Sequence, residues 1–198
     1  MGVTTRPTPT ALAAAGRAIS KRRETLVAGW ANWIDGRQAS IGTVSNEIIQ
    51  RQLGLLVDVL GELDGPLRHD ANDLWHIASE WYGKNAADRG LATGEIVEEF
   101  QHFRELLFRE LSDVVAALPA RALIDTVMRL NRWLDRGIAH AVVGYTDSLV
   151  ETLLDRRGVP VSTRDVAEAE LEKQLDQLER ELEEIREQGR AVGGDSVS

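Results

Sequence analysis

Between Pro119 and the Gly158-Val159-Pro160 triplet the chain offers 38 residues, Ala120 to Arg157, with no strong helix breaker. Apolar side chains recur there at three- and four-residue steps: Leu123, Val127, Leu130, Leu134, Ile138, Ala141, Tyr145, Leu149 and Leu153. That spacing marks one face of an α-helix, and at about 1.5 Å per residue the helix would extend about 57 Å. A domain of this size is only about 30–40 Å across. Such a helix must protrude from the body or break within it, and Gly137 and Gly144 are the expected breaking points.

The rest of the chain has the same period. A first helix is predicted from about Thr10, a fitting N-cap, to Ile34, with Leu12, Ile19, Leu26, Trp30 and Trp33 on one stripe. A second, capped by Ser45, reaches Leu63 with Ile48, Ile49, Leu53, Leu56, Val59 and Leu60 as its buried side, and Asp64-Gly65-Pro66 ends it in a turn. A third spans roughly Asp70 to Arg89 around Leu74, Ile77, Ala78, Trp81 and Tyr82. A fourth, capped by Thr93, carries Ile96, Phe100, Phe103, Leu107, Leu111 and Val114 and ends near Leu118. No alternating β-branched run and no Asn-Gly hairpin signal is present. The expected fold is all-α: a helical bundle of about five helices, with a long final helix and a short C-terminal coiled-coil tail.

That tail follows a short linker. Leu175 and Leu182 fall at heptad position a and Leu171, Leu178 and Ile185 at d. Ten acids against five bases between Arg164 and Arg190 make the segment strongly acidic. Little more than two heptads is too short to pair unaided, so the body would have to dimerise first. The expected organisation is a disordered arm at 1–9, a helical body at 10–157, a linker at 158–165, the coiled-coil tail at 166–188 and a disordered end at 189–198.

Composition removes several function classes. The 198 residues contain no cysteine, so thiol catalysis, thiolate metal sites and disulfides are excluded. A net charge of −9 gives no basic field for nucleic acid. No apolar run approaches the ~20 residues that cross a bilayer, and no secretory h-region opens the sequence. Membrane insertion is not expected, and the expected compartment is the cytoplasm. Neither a P-loop, a dinucleotide fingerprint nor a nucleophile elbow occurs. No catalytic residue and no cofactor is therefore expected.

The four histidines are the remaining candidates for site chemistry. His69, Asp73, His76 and Glu80 lie on one stripe of the third helix, a spacing that could hold a metal. That stripe is also what a solvated polar face looks like. Glu99-x-x-His102 has the spacing of carboxylate-bridged di-iron bundles, but no second such motif exists. His102 followed by Arg104-Glu105 has the look of a phospho-accepting histidine, without the nucleotide-binding loop of a kinase. His140, between Ala139 and Ala141, and His102 are the candidate axial ligands if haem is bound. These candidates leave open a haem- or small-ligand-binding domain and a metal-binding bundle enzyme. A pure adaptor, recruiting a protein partner through the tail, is a third. Candidate dimer and signalling residues are Trp30 and Trp33 on the first helix, Asn131, Leu134, Asp135 and Ile138 on the fifth, and the heptad residues Leu171, Leu175, Leu178, Leu182 and Ile185. A polar residue such as Asn131 in an apolar seam can fix register.

Four sequence features carry a family resemblance: Arg22-Arg23-Glu24-x-Leu26-x-x-x-Trp30; the Leu-rich second helix; Arg89-Gly90-Leu91-x-x-x-Glu95-Ile96-Val97-x-Glu99-Phe100-x-x-x-Arg104; and Leu130-Asn131-x-x-Leu134-Asp135-x-x-Ile138 followed by Tyr145. Over about Leu12 to Arg157 the chain resembles the N-terminal domain of RsbR/RsbD-type RsbT co-antagonist proteins, a domain also fused to bacterial histidine kinases. The resemblance implies a globin-like helical fold without haem, a homodimer, and a sensory or scaffold role in a stress-type pathway. Family members run from the last helix into a STAS or kinase output domain, whereas this sequence runs into the heptad tail.

Overall fold

The structure is a computed structural model that describes residues 9–37, 44–63, 65–155 and 164–194. Among these residues eight helices form and no strand. They are α1 (Pro9–Lys21), α2 (Arg23–Arg37), α3 (Asn46–Glu62), α4 (Arg68–Asp88), α5 (Thr93–Glu110), α6 (Ser112–Ala116), α7 (Ala120–Asp155) and α8 (Arg164–Gly194). The expected first helix is two, divided at Arg22, whose N–H is shared between the Ala18 and Ile19 carbonyls. The expected fourth is also two, divided at Leu111. Residues 1–8 of the predicted arm (1–9) and most of the predicted linker lie outside the described residues, and Pro9 already opens α1. The predicted disordered end is helical as far as Gly194.

Local chemistry sets the boundaries. Ser45 Oγ accepts a hydrogen bond from Ile48 N–H at 3.4 Å, the N-cap expected of it. α4 ends in a Schellman closure: Gly90 sits at φ +78°, its N–H reaches Ala87 O, and Leu91 N–H reaches Ala86 O. Gly90 is the residue type that takes this left-handed position without a Cβ penalty. Thr93 is not the cap of α5, as the sequence led us to expect. Ala92 is, and the Glu95 carboxylate accepts from its N–H at 2.7 Å.

α3 is central. It buries Gly54, Leu55 and Val57 as well as the predicted stripe, as a helix wrapped on all sides must. The aromatic core lies between α2, α4 and α5: Trp30 stacks on Phe103 with centroids 4.2 Å apart, and Tyr82 and Phe100 close around it.

α7 does not break. It is one 36-residue helix, and its glycines serve contact rather than kinking. A Cβ on Gly144 would penetrate the Glu80 carbonyl, and one on Gly83 the Ala141 carbonyl. Gly137 seats the Trp75 ring, whose nearest carbon would stand 2.6 Å from a Cβ there. Trp75 Nε1 donates to Trp133 O at 3.0 Å. Pairs such as Trp75 with Gly137 and Glu80 with Gly144 rise together in number, so α4 and α7 run parallel with their backbones in contact. The extra length is accommodated by protrusion past the end of α4.

Candidate functional site

α4 and α7 bring together residues that the sequence left in separate hypotheses. His140 Nδ1 lies 2.7 Å from Glu80 Oε1, and the His140 ring stacks on His76 at 4.1 Å. Burial, then the neighbouring His140 and Arg136, hold the His76 imidazole below its usual pKa. His69 stands apart, 4.0 Å from Asp73 and well exposed. Among the described residues no three His, Cys, Asp or Glu side chains converge as a metal ion needs. The stacked geometry instead leaves the His140–Glu80 pair as a helix-to-helix link.

His102 is on another face. It stacks on Trp33 at 4.6 Å, with the Arg37 guanidinium over the same indole, and burial lowers its pKa. Its sequence partner Glu99 points inward. The Glu99 carboxylate accepts from Tyr82 Oη at 2.5 Å and from both terminal nitrogens of Arg89 at 3.1 and 2.9 Å. Both charged side chains are essentially dry, at 1% and 6% exposure. Burial, with Glu99 next to it, pushes the Tyr82 phenol well above its usual range. With its oxygens committed to this pair, Glu99 has no role as a di-iron ligand alongside His102.

The expected dimer residues divide. Trp30 and Leu134 are fully buried in the subunit's own core, because each falls on the inner stripe of its helix, so neither is accessible to a second copy. Trp33 and Ile138 are half-buried. Asn131 Nδ2 donates to Val127 O of its own helix, and Asp135 pairs with Arg104. The exposed apolar residues of α7 are others: Ile124, Met128, Val143, Leu149, Val150 and Leu153. At 100° per residue they lie within one arc, with Ala139 midway and opposite the buried side. Ile124, Met128, Val143 and Val150 form a second apolar stripe that the stronger inner one masked in the sequence, whereas Leu149 and Leu153, expected on the inner face, are exposed because that face turns away from the body toward the end of α7.

α8 lies on the body. Leu171, Leu175, Leu178 and Leu182 are buried and join the main core, with Ile185 packed against it. Arg51 binds Asp176 and Glu179, both at 2.8 Å, and Arg186 binds Glu62 at 3.0 Å and Asp58 at 3.3 Å. Arg51, Leu55, Asp58 and Glu62 share one face of α3, which explains why Leu55 is buried outside the predicted stripe. The heptad expected to be free for a partner is thus packed in cis, since its leucines and charges of both signs on α8 find complementary partners on α3 within the same chain.

Two of the surface recesses among the described residues adjoin these elements. One, of about 460 Å3, lies under the end of α8, between Ser20, Glu62, Pro66, Arg186 and Arg190. The other, of about 400 Å3, is lined by Leu63, Arg68, His69, Asn72, Arg129, Trp133 and Arg136. None of the described helices is long and apolar enough to cross a membrane.

No curated protein and no solved structure matches the chain. The profile of the family described as RsbT co-antagonist protein rsbRD N-terminal domain matches residues 24–159. That span holds α2 to α7, more than half of the chain, and includes the α4–α7 contact and the Arg89–Glu99 pair. The chain belongs to the RsbT co-antagonist rsbRD N-terminal domain family, a family of signal-transduction domains.

Proposed function

We propose that this chain is a non-catalytic sensor or adaptor domain of stress-type signalling that works as a homodimer and passes its signal from α7 to α8. The exposed apolar stripe on α7 carries the reading. It spans Ile124 to Leu153, about 44 Å of helix, and such a face on one side of a soluble domain marks an interaction surface. Towards its ends the pattern is self-complementary about Ala139, while nearer the centre Val143 would face Asp135. In an antiparallel pair Ile124 would meet Leu153, Met128 would meet Val150, and Arg132 would face Asp147. A two-fold contact demands that symmetry. α8 follows α7 in the chain, so a change in how two α7 helices pack would alter the docking of the heptad stripe and what it recruits.

Light scattering on the purified chain at micromolar concentration tests this. The wild type is expected to be a dimer, and Met128→Lys with Val150→Lys a folded monomer, because two lysines would be placed in an apolar seam. A wild-type monomer would remove the mechanism.

A further inference from the structure

One turn beyond His76 and His140, α4 and α7 meet backbone to backbone: the Gly144 position abuts the Glu80 carbonyl and the Gly83 position the Ala141 carbonyl. Beside that contact the seam holds a polar cluster. His140 Nδ1–H donates to Glu80 Oε1 at 2.7 Å, and the His140 ring lies 4.1 Å from the His76 ring at an interplanar angle of 15°. His76 Nε2 is buried and has no hydrogen-bond partner among the described residues. The side chains of His140 and Glu80 keep 31% and 40% of their surface in solvent, so protons reach the seam without unfolding.

The charges around His76 come from both helices. On α4 stand Asp73, one turn before it, and Glu80, one turn after; on α7 stand His140 and Arg136. One proton shared by the two rings is balanced by the Glu80 carboxylate. A second sets like charges face to face, with Arg136 close by and no acceptor at the Nε2 edge of His76, which a partly dry seam penalises. Burial first, then His140 and Arg136, outweigh the attraction of Asp73 and Glu80 and hold His76 below the ordinary imidazole range. The rings cannot relieve the repulsion by moving apart within the seam, because the backbones beside them are already in contact. Relief requires the helices to separate.

We infer that His76, His140 and Glu80 form an acid-sensitive latch between α4 and α7, closed while His76 is neutral and opened when both rings carry a proton. In the opened state His76 regains an ordinary imidazole value of about 6.5 and binds a proton that the closed state refuses. The stability that the latch contributes is therefore complete above about pH 7 and is lost as the pH falls below about 6.5. For one such group the opened population rises at most about tenfold between about pH 7.5 and about pH 5.5. Histidine is the side chain whose charge changes in this range, and a packed helix pair is the kind of two-state element that such a change can bias. The latch acts within one copy and does not depend on the chain being a sensor or a dimer.

Histidine ring resonances of the full chain, followed by NMR from about pH 8 to about pH 5, test the latch together with amide protection factors measured on the same samples. His69, well exposed on the same helix, supplies the reference. His76 is expected to titrate at lower pH than His69, and His140→Gln, which keeps a donor for Glu80 and removes the facing charge, to move the His76 midpoint up. Amide protection at residues 76–83 and 137–144 is expected to fall by up to about tenfold from about pH 7.5 to about pH 5.5, relative to the amides of α3. His76→Phe keeps a ring in the stack without a proton site and should abolish that fall. Burial also lowers the His102 pKa, but this ring lies against Trp33, so His102→Gln should leave the fall intact. The latch is overturned if His76 titrates together with His69, if protection in α4 and α7 is indifferent to pH, or if His76→Phe retains the fall. A fall that His102→Gln removes equally belongs to unfolding of the whole molecule, and it overturns the latch as well. Should His76→Phe fail to fold, the comparison with His69 and the shift in His140→Gln decide the question.

Discussion

Glu99 shows why a spacing can suggest the wrong chemistry. Glu-x-x-His is a ligand pattern only if both side chains turn the same way, and here α5 turns Glu99 into the core and leaves His102 against Trp33. What the sequence did not reveal is the partner: Arg89 lies at the end of α4, just before the Gly90 turn, and nothing local marks it as buried. A bidentate pair with both members dry depends on each partner. Removing one charge strands the other in a medium that solvates it poorly. Glu99→Ala is therefore expected to destabilise the fold by about 3–5 kcal/mol in urea unfolding. The double variant Glu99→Met, Arg89→Met should recover much of that loss, since a well-packed apolar pair can replace a buried ion pair. If the double variant falls as far as the sum of the two singles, the residues are not coupled.

At the level of elements, helix existence was legible and helix continuity was not. The three- and four-residue period gave the position of α3, α4, α5 and α7 to within a few residues, because the buried side of each must be apolar. The divisions at Arg22 and Leu111 left no Gly or Pro in the sequence. They arise where the chain must change direction to pack, as α1 does on α3 and α6 on α7. Glycine invited the opposite error in α7. In a helix interior glycine costs about 1 kcal/mol relative to alanine, which reads as weakness until the neighbour is known. Gly144 and Gly83 are where two backbones meet. Gly144→Ala should therefore lower stability, by about 1–3 kcal/mol as an overpacked site does, against the ordinary preference for alanine. A rise in the unfolding midpoint would show that α4 and α7 stand further apart than described.

For the molecule as a whole, the question is which surface the α8 stripe covers. The heptad pattern describes an amphipathic helix equally well whether its partner is another copy or its own body, so sequence alone left the choice open. Burying four leucines contributes about 1.5–3 kcal/mol each before ordering costs, and those costs are large for a helix of this length. The surface-exposed portions of the Arg51 and Arg186 pairs add little beyond orientation. Docking is thus a balance of large opposing terms and is open to reversal by a modest change. Leu175 is the most buried of the four leucines, with no exposed surface. Leu175→Asp is expected to release α8: its amides should exchange with solvent at least about tenfold faster, the effect of losing some 1.4 kcal/mol or more of docking energy. The amides of α4 and α7 should keep their protection, because their mutual contact does not involve α8. If α8 exchange is unchanged, docking does not rest on the leucine stripe. If α4 and α7 loosen with it, α8 is part of one cooperative core, and a tail that moves independently of the body is ruled out.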